Sequence, residues 1–84
     1  MAYQVVVPRK VQKNLQKIDK QYRQRILTAL DDLAFDPYVG KKLWGEHKSE
    51  RAHRVWPYRI IYRVQEHKLV VLVIKIGHRR EVYR

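Results

Sequence analysis

Six side chains carry most of the chemical potential of this 84-residue sequence: Arg54, Arg59, His78, Arg79, Arg80 and Tyr83. A guanidinium is a fixed positive charge on a planar fork of donors, and it matches the oxygens of a phosphate. An imidazole changes charge near neutral pH. A phenol can join in proton transfer if neighbouring cations lower its pKa. Any one exposed arginine is ordinary surface, but this group lies in a strongly cationic stretch. From residue 51 onward there are nine Lys/Arg against two Glu, a net of +7 in 34 residues. The first fifty residues carry ten Lys/Arg against six Asp/Glu, a net of +4. Lys41, Lys42, Arg51 and Arg63 add further candidates for holding a polyanion.

Other chemistries find no support. The sequence has no glycine-rich phosphate loop and no Ser-His-Asp spacing. His47, His53, His67 and His78 are scattered without ligand spacing, so no metal and no cofactor is expected. Carboxylates near the basic stretch are few: Glu46, Glu50 and Glu81. There is no cysteine, hence no disulfide and no thiolate metal site. No run approaches the roughly 18 apolar residues of a membrane span. The opening MAYQVVVPRK lacks the layout of a signal peptide, so a cytoplasmic protein is expected. The formal net charge of +11 favours an acidic partner or a nucleic acid.

The elements that must position these groups are readable from periodicity. Residues 2–7 (AYQVVV) read as a short strand that Pro8 ends. Val11, Leu15 and Ile18 form one apolar helical stripe, and Tyr22, Ile26, Ala29, Leu30, Leu33 and Ala34 form a longer one. Asp19 is the expected N-cap between them, and Asp36-Pro37 closes the second helix. Residues 37–50 read as a loop in which Trp44 folds back onto the core edge. The alternative is a Trp44 that offers a stacking surface to a base. Residues 51–56 and 58–65 read as strands separated by Pro57. The turn at residues 66–68 has no Gly or Asn and no legible type. Residues 69–76, apolar on both faces except for Lys75, suit a central strand covered on both sides, ended by Gly77.

The expectation is therefore one α+β domain spanning 1–84: a small antiparallel sheet with an N-terminal helical hairpin packed on it, in the order β-α-α-β-β-β. The pairing of PYRIIYRV (57–64) with VLVIKIGHRREVY (71–83) resembles the RelE/ParE toxin superfamily, and its RelE branch in particular. The resemblance covers essentially the whole chain. Arg59 matches the family's strand arginine beside a tyrosine, Arg79 the arginine two positions after a glycine, and Tyr83 the C-terminal tyrosine. Arg54 falls on the second of two basic positions, and Ala52 stands at the first.

The resemblance implies a toxin of a type II toxin-antitoxin system. Its activity would be metal-independent, ribosome-dependent cleavage of mRNA in the A site, by attack of the 2′-hydroxyl on the adjacent phosphorus. Arg59 and Arg54 would then stabilise charge on the phosphoryl oxygens, and Arg79 would assist the leaving 5′-oxygen. Tyr83 or His78 would handle the proton. Lys41, Lys42, Arg51, Arg63 and Arg80 would hold RNA. The implied partners are the ribosome with its mRNA and a cognate acidic, RelB-like antitoxin, giving a toxin-antitoxin hetero-oligomer and no membrane association. Two other readings stay open: a ParE-like gyrase inhibitor, and a non-catalytic basic module that binds nucleic acid.

Overall fold

Pro8 separates the first two elements: β1 (Gln4–Val6) stops before it and α1 (Arg9–Gln16) starts after it. Its carbonyl accepts the N–H of Gln12 at 2.9 Å, and the Gln12 side-chain amide donates to Val7 O at 2.7 Å. Val11 and Leu15 of α1 are buried, one helical turn apart. Asp19 occupies the N-cap position of α2 (Lys20–Phe35), but its side chain makes no capping hydrogen bond. The tight connection is held from the other side. Arg23 Nη1 donates to the carbonyls of Gln16 at 3.1 Å and Ile18 at 3.4 Å, which the end of α1 would otherwise leave without partners. Asp36, extended at φ −137° before Pro37, ends α2 as expected.

In this computed structural model, which describes residues 2–45 and 49–80, the remaining elements are strands: β2 (Lys41–Lys42), β3 (Arg51–Val55), β4 (Tyr58–Gln65) and β5 (Val70–His78). They form one sheet with the order β1-β5-β4-β3-β2. The α+β architecture and the helical hairpin are as expected, with two refinements to the sheet. β1 runs parallel to β5, pairing Gln4 with Val70 and Val6 with Leu72, so the sheet is mixed. The stretch expected to be wholly loop contributes β2, which pairs Lys41 with Ala52 and Lys42 with Arg51. The turn after β4 is a single 3₁₀ turn, Glu66–Lys68, closed by Leu69 in the left-handed region at φ 53°.

Both helices lie on one face of the sheet. Val11, Leu15, Ile26, Leu30 and Leu33 pack there against Val55, Ile60, Tyr62, Val71, Val73 and Ile76. β5 is central but not covered on both sides, because the helices occupy only that one face and Ile74 is 36% exposed. Trp44 does not fold back onto the core: it is 80% exposed. Pairing of Lys41 and Lys42 along the rim, continued by Leu43 N–H to Glu50 O at 3.0 Å, carries the chain outward past the core.

Tyr62 anchors the segment that leads into β2. Its ring is fully buried, and its hydroxyl donates to Pro37 O at 2.7 Å and accepts the N–H of Gly40 at 3.0 Å. Gly40 has to be glycine for this close approach. A Cβ there would sit 2.5 Å from the Tyr62 hydroxyl and 3.0 Å from Ala52 O.

Candidate phosphate-binding site on the open face of the sheet

Register decides which side chains meet. On β4, Tyr58, Ile60 and Tyr62 face the helices, so Arg59, Ile61 and Arg63 face away. Arg59 lies directly opposite Arg54 on β3 and opposite Gly77 on β5. The next row on the same face is Lys41, Ala52, Ile61 and Lys75. Arg63, opposite Leu72, follows. Five cations therefore share one face of a rigid sheet. Ile61 is 4% exposed yet lies apart from the main core, beneath these long side chains.

A bulge sets the C-terminal part of this arrangement. The β4–β5 register shifts between Ile61 and Tyr62, so that Ile61 pairs with Lys75 while Tyr62 pairs with Val73. The extra residue, Ile74, reverses the alternation along the rest of β5. Gly77 is thereby aligned with Arg59 on the open face, and Arg79 follows two positions on. The Arg79 N–H donates to Pro57 O at 2.9 Å, and its guanidinium carbon lies 4.7 Å from the centre of the Trp56 ring. Arg54 and Arg59 thus lie side by side at the end of the open face next to the β3–β4 turn, and the same turn holds the backbone and the guanidinium of Arg79.

The same bulge sends His78 to the other side. It pairs with Tyr58, and the two rings meet edge-on with centroids 5.9 Å apart on the helix face. The structure therefore does not bring His78 together with the arginines, contrary to its expected share in the proton transfer. Tyr83 lies outside the described residues.

The expected RNA-holding residues divide in the same way. Lys41 joins the arginines across a cleft of about 350 Å³, whose walls include Val39, Gly40, Lys41, Ala52, Arg54 and Arg59. Arg51 is committed to the fold and not to the face. Its guanidinium donates to Gly40 O at 2.9 Å and Tyr38 O at 3.4 Å, and it stacks 5.0 Å from the Tyr38 ring centre. Lys42, in register with Arg51, is directed away from the open face. Arg63 is on the face but tied to Glu50 Oε2 at 3.4 Å. Arg80 follows the strand, exposed, with its N–H on His78 Nδ1 at 3.4 Å. Lys75 was not singled out from sequence as a site residue. The signal was there, as the lone charge in an otherwise apolar run.

Like charges placed directly across a strand pair destabilise it. Arg54 opposite Arg59 is thus a local cost to folding, which an anion bound between them would reverse. A larger cleft of about 540 Å³ at the opposite end of the sheet mixes charges, with Glu50 and Glu66 beside Lys42, Arg51 and Lys68. There the Tyr38 hydroxyl donates to Glu66 Oε1, and this bond to a carboxylate pushes the Tyr38 pKa upward. Among the described residues, no group of three His, Asp or Glu lies close enough to hold a metal ion. No helix among them is long and apolar enough to cross a membrane.

A five-stranded sheet with two helices on one face and a pair of arginines on the other is an architecture shared with solved RelE toxin structures. The chain belongs to the family described as the ParE toxin of type II toxin-antitoxin systems, parDE, whose model matches residues 5–83. It is 28% identical to Toxin RelG of Mycobacterium tuberculosis (strain ATCC 25618 / H37Rv), over 100% of this chain and 99% of the relative. Among solved structures it resembles the RelBE2 toxin-antitoxin complex of M. tuberculosis, with a TM-score of 0.86 and 26% identity, covering 94% of this chain and 100% of that one. It also resembles the isolated E. coli RelE toxin, with a TM-score of 0.80 and 28% identity over 98% and 92% of the two chains.

Proposed function

We propose that this toxin is an endoribonuclease that cuts mRNA held in the ribosomal A site and is neutralised by a cognate acidic antitoxin. The observation that carries the reading is the Arg54–Arg59 cross-strand pair on the open face, aligned with Gly77 and bordered by the turn on which Arg79 is held. Similarity to RelG and to RelE structures, among them complexes with a RelB antitoxin, supports the same branch of the superfamily.

In the reaction the 2′-hydroxyl loses its proton and attacks the adjacent phosphorus. The P–O5′ bond breaks, a 2′,3′-cyclic phosphate remains, and the 5′-oxygen takes up a proton. Arg54 and Arg59 stabilise the charge that grows on the non-bridging oxygens. Arg79 neutralises the departing 5′-oxygen. With His78 on the helix face, the role of proton acceptor falls to Tyr83, whose pKa would have to lie below that of a free phenol. The arginines offer charge but no efficient base, so alignment of the RNA by the ribosome has to supply much of the acceleration.

The test compares wild type with Arg59→Ala, Arg79→Ala and Tyr83→Phe, each checked for folding by circular dichroism, on ribosome-bound and on free mRNA. The expected result is cleavage of ribosome-bound mRNA alone, reduced about 10²–10³-fold by loss of an arginine. Equal rates for wild type and all three variants, or equal cleavage of free RNA, would reject the reading. The family model, which describes a ParE toxin, favours a second reading: a gyrase inhibitor that cuts nothing. A supercoiling assay on the same preparation separates the two.

A further inference from the structure

Trp56 is a large aromatic residue that contributes nothing to the core. It is 51% exposed at the turn between β3 and β4, next to buried Val55 and two positions from Arg54. What it does touch is Arg79, whose guanidinium lies over its ring. The same turn also holds the backbone of Arg79, through its N–H to Pro57 O. Arg79 is exposed beyond the end of β5, where an arginine side chain would ordinarily sample many rotamers. The indole is the strongest cation–π surface among the side chains.

We propose that Trp56 is a positioning residue: its ring fixes the Arg79 guanidinium beside Arg54 and Arg59, so that the three can meet one phosphate group. This rests on the phosphodiester-cleavage reading above. Three guanidiniums that converge on one phosphate repel one another before the substrate arrives. Something other than charge must hold the most mobile of them in place, and a π face does so without neutralising it. Misplacing a catalytic group by about 1 Å can cost 10²-fold in rate. The contribution of Trp56 is therefore in the rate of the chemical step, more than in the affinity for the ribosome.

The experiment uses single-turnover cleavage of ribosome-bound mRNA by wild type, Trp56→Leu, Trp56→Phe, Arg79→Ala and the Trp56→Leu/Arg79→Ala double variant. Trp56→Leu keeps apolar bulk and removes the π face. It is expected to slow the saturated rate about 10–100-fold with little change in half-saturation. Trp56→Phe, with a weaker π face, is expected to recover most of that loss. The double variant is expected to be no slower than Arg79→Ala alone. A Trp56→Leu rate within twofold of wild type, or a double-variant loss equal to the product of the single losses, would overturn the proposal. A second measurement does not depend on activity. The Arg79 Nε–H resonance should be displaced upfield by the indole ring current in wild type and return to the ordinary arginine position in Trp56→Leu. An undisplaced wild-type resonance overturns the positioning role whatever the cleavage result. A displaced one in a protein that cuts no mRNA supports the stack and rejects the cleavage reading instead.

Discussion

Replacing Tyr62 by Phe removes one oxygen atom and leaves two buried backbone groups without a partner. The hydroxyl donates to Pro37 O at 2.7 Å and accepts from Gly40 N–H at 3.0 Å, in a residue with no solvent exposure. A buried group left unsatisfied costs about 1–3 kcal/mol, so two set an upper range of about 2–6 kcal/mol. Gly40 and Lys41 border the open cleft, and local relaxation there would let water reach one of the two groups. We therefore expect a loss of about 2–4 kcal/mol. For a domain of this size each kcal/mol moves the melting midpoint by about 4–8 °C, which puts the expected drop near 10–25 °C. The assay is thermal and urea unfolding of wild type and Tyr62→Phe under identical conditions. Cleavage should fall as well, since the anchored segment carries Lys41 and one wall of the cleft. A midpoint within about 3 °C of wild type would refute the claim that this phenol ties residues 37–40 to the sheet.

Burial raises the Tyr62 pKa; the Gly40 N–H and the Arg51 charge pull against it without cancelling it. The folded state thus holds the phenol proton more tightly than the unfolded chain, where a tyrosine titrates near about 10. The stabilisation is complete below that pH and is lost as pH rises through the folded-state value. Alkaline unfolding of wild type should therefore steepen above about pH 10, and Tyr62→Phe should flatten that limb in a titration followed by circular dichroism. Leu69→Gly should raise the unfolding midpoint, because the leucine is 39% exposed and relief of its left-handed φ of 53° outweighs the modest apolar burial it supplies. Arg54→Gln should separate folding from function, stabilising the domain by a few tenths of a kcal/mol in urea melts while slowing cleavage about 10²–10³-fold.

The helical hairpin and the two long strands were legible in the sequence because they obey simple periods: 3.6 for the stripes of Val11 and Leu15 and of Ile26, Leu30 and Leu33, two for Tyr58, Ile60 and Tyr62. β2 was not legible, since two lysines have no period and are held only by pairing with β3. Nor does local pattern reveal that β1 joins β5 in parallel. That depends on the crossover through the helices. Trp44 misled because its size argued for burial, whereas pairing at the rim takes it outward. The arginines of the site were identifiable by type. Their sharing of one face was not readable, because counting by twos from Val73 would have put His78 with Ile74 and Ile76 and sent Gly77 and Arg79 to the helix side. One inserted residue reverses this, and nothing in the local composition marks it.

The parallel pairing of β1 with β5 joins the first described strand to the last, Gln4 to Val70. β5 is also flanked by β4 on its other side, so an interior strand of the sheet is the one that leaves the ribosome after the other described strands. A nascent chain can form its hairpin helices while translation continues, but the strand against which α1 packs is still missing. Completion of the sheet is thereby deferred until β5 has emerged, and a chain truncated before it would lack the strand that joins β1 to β4.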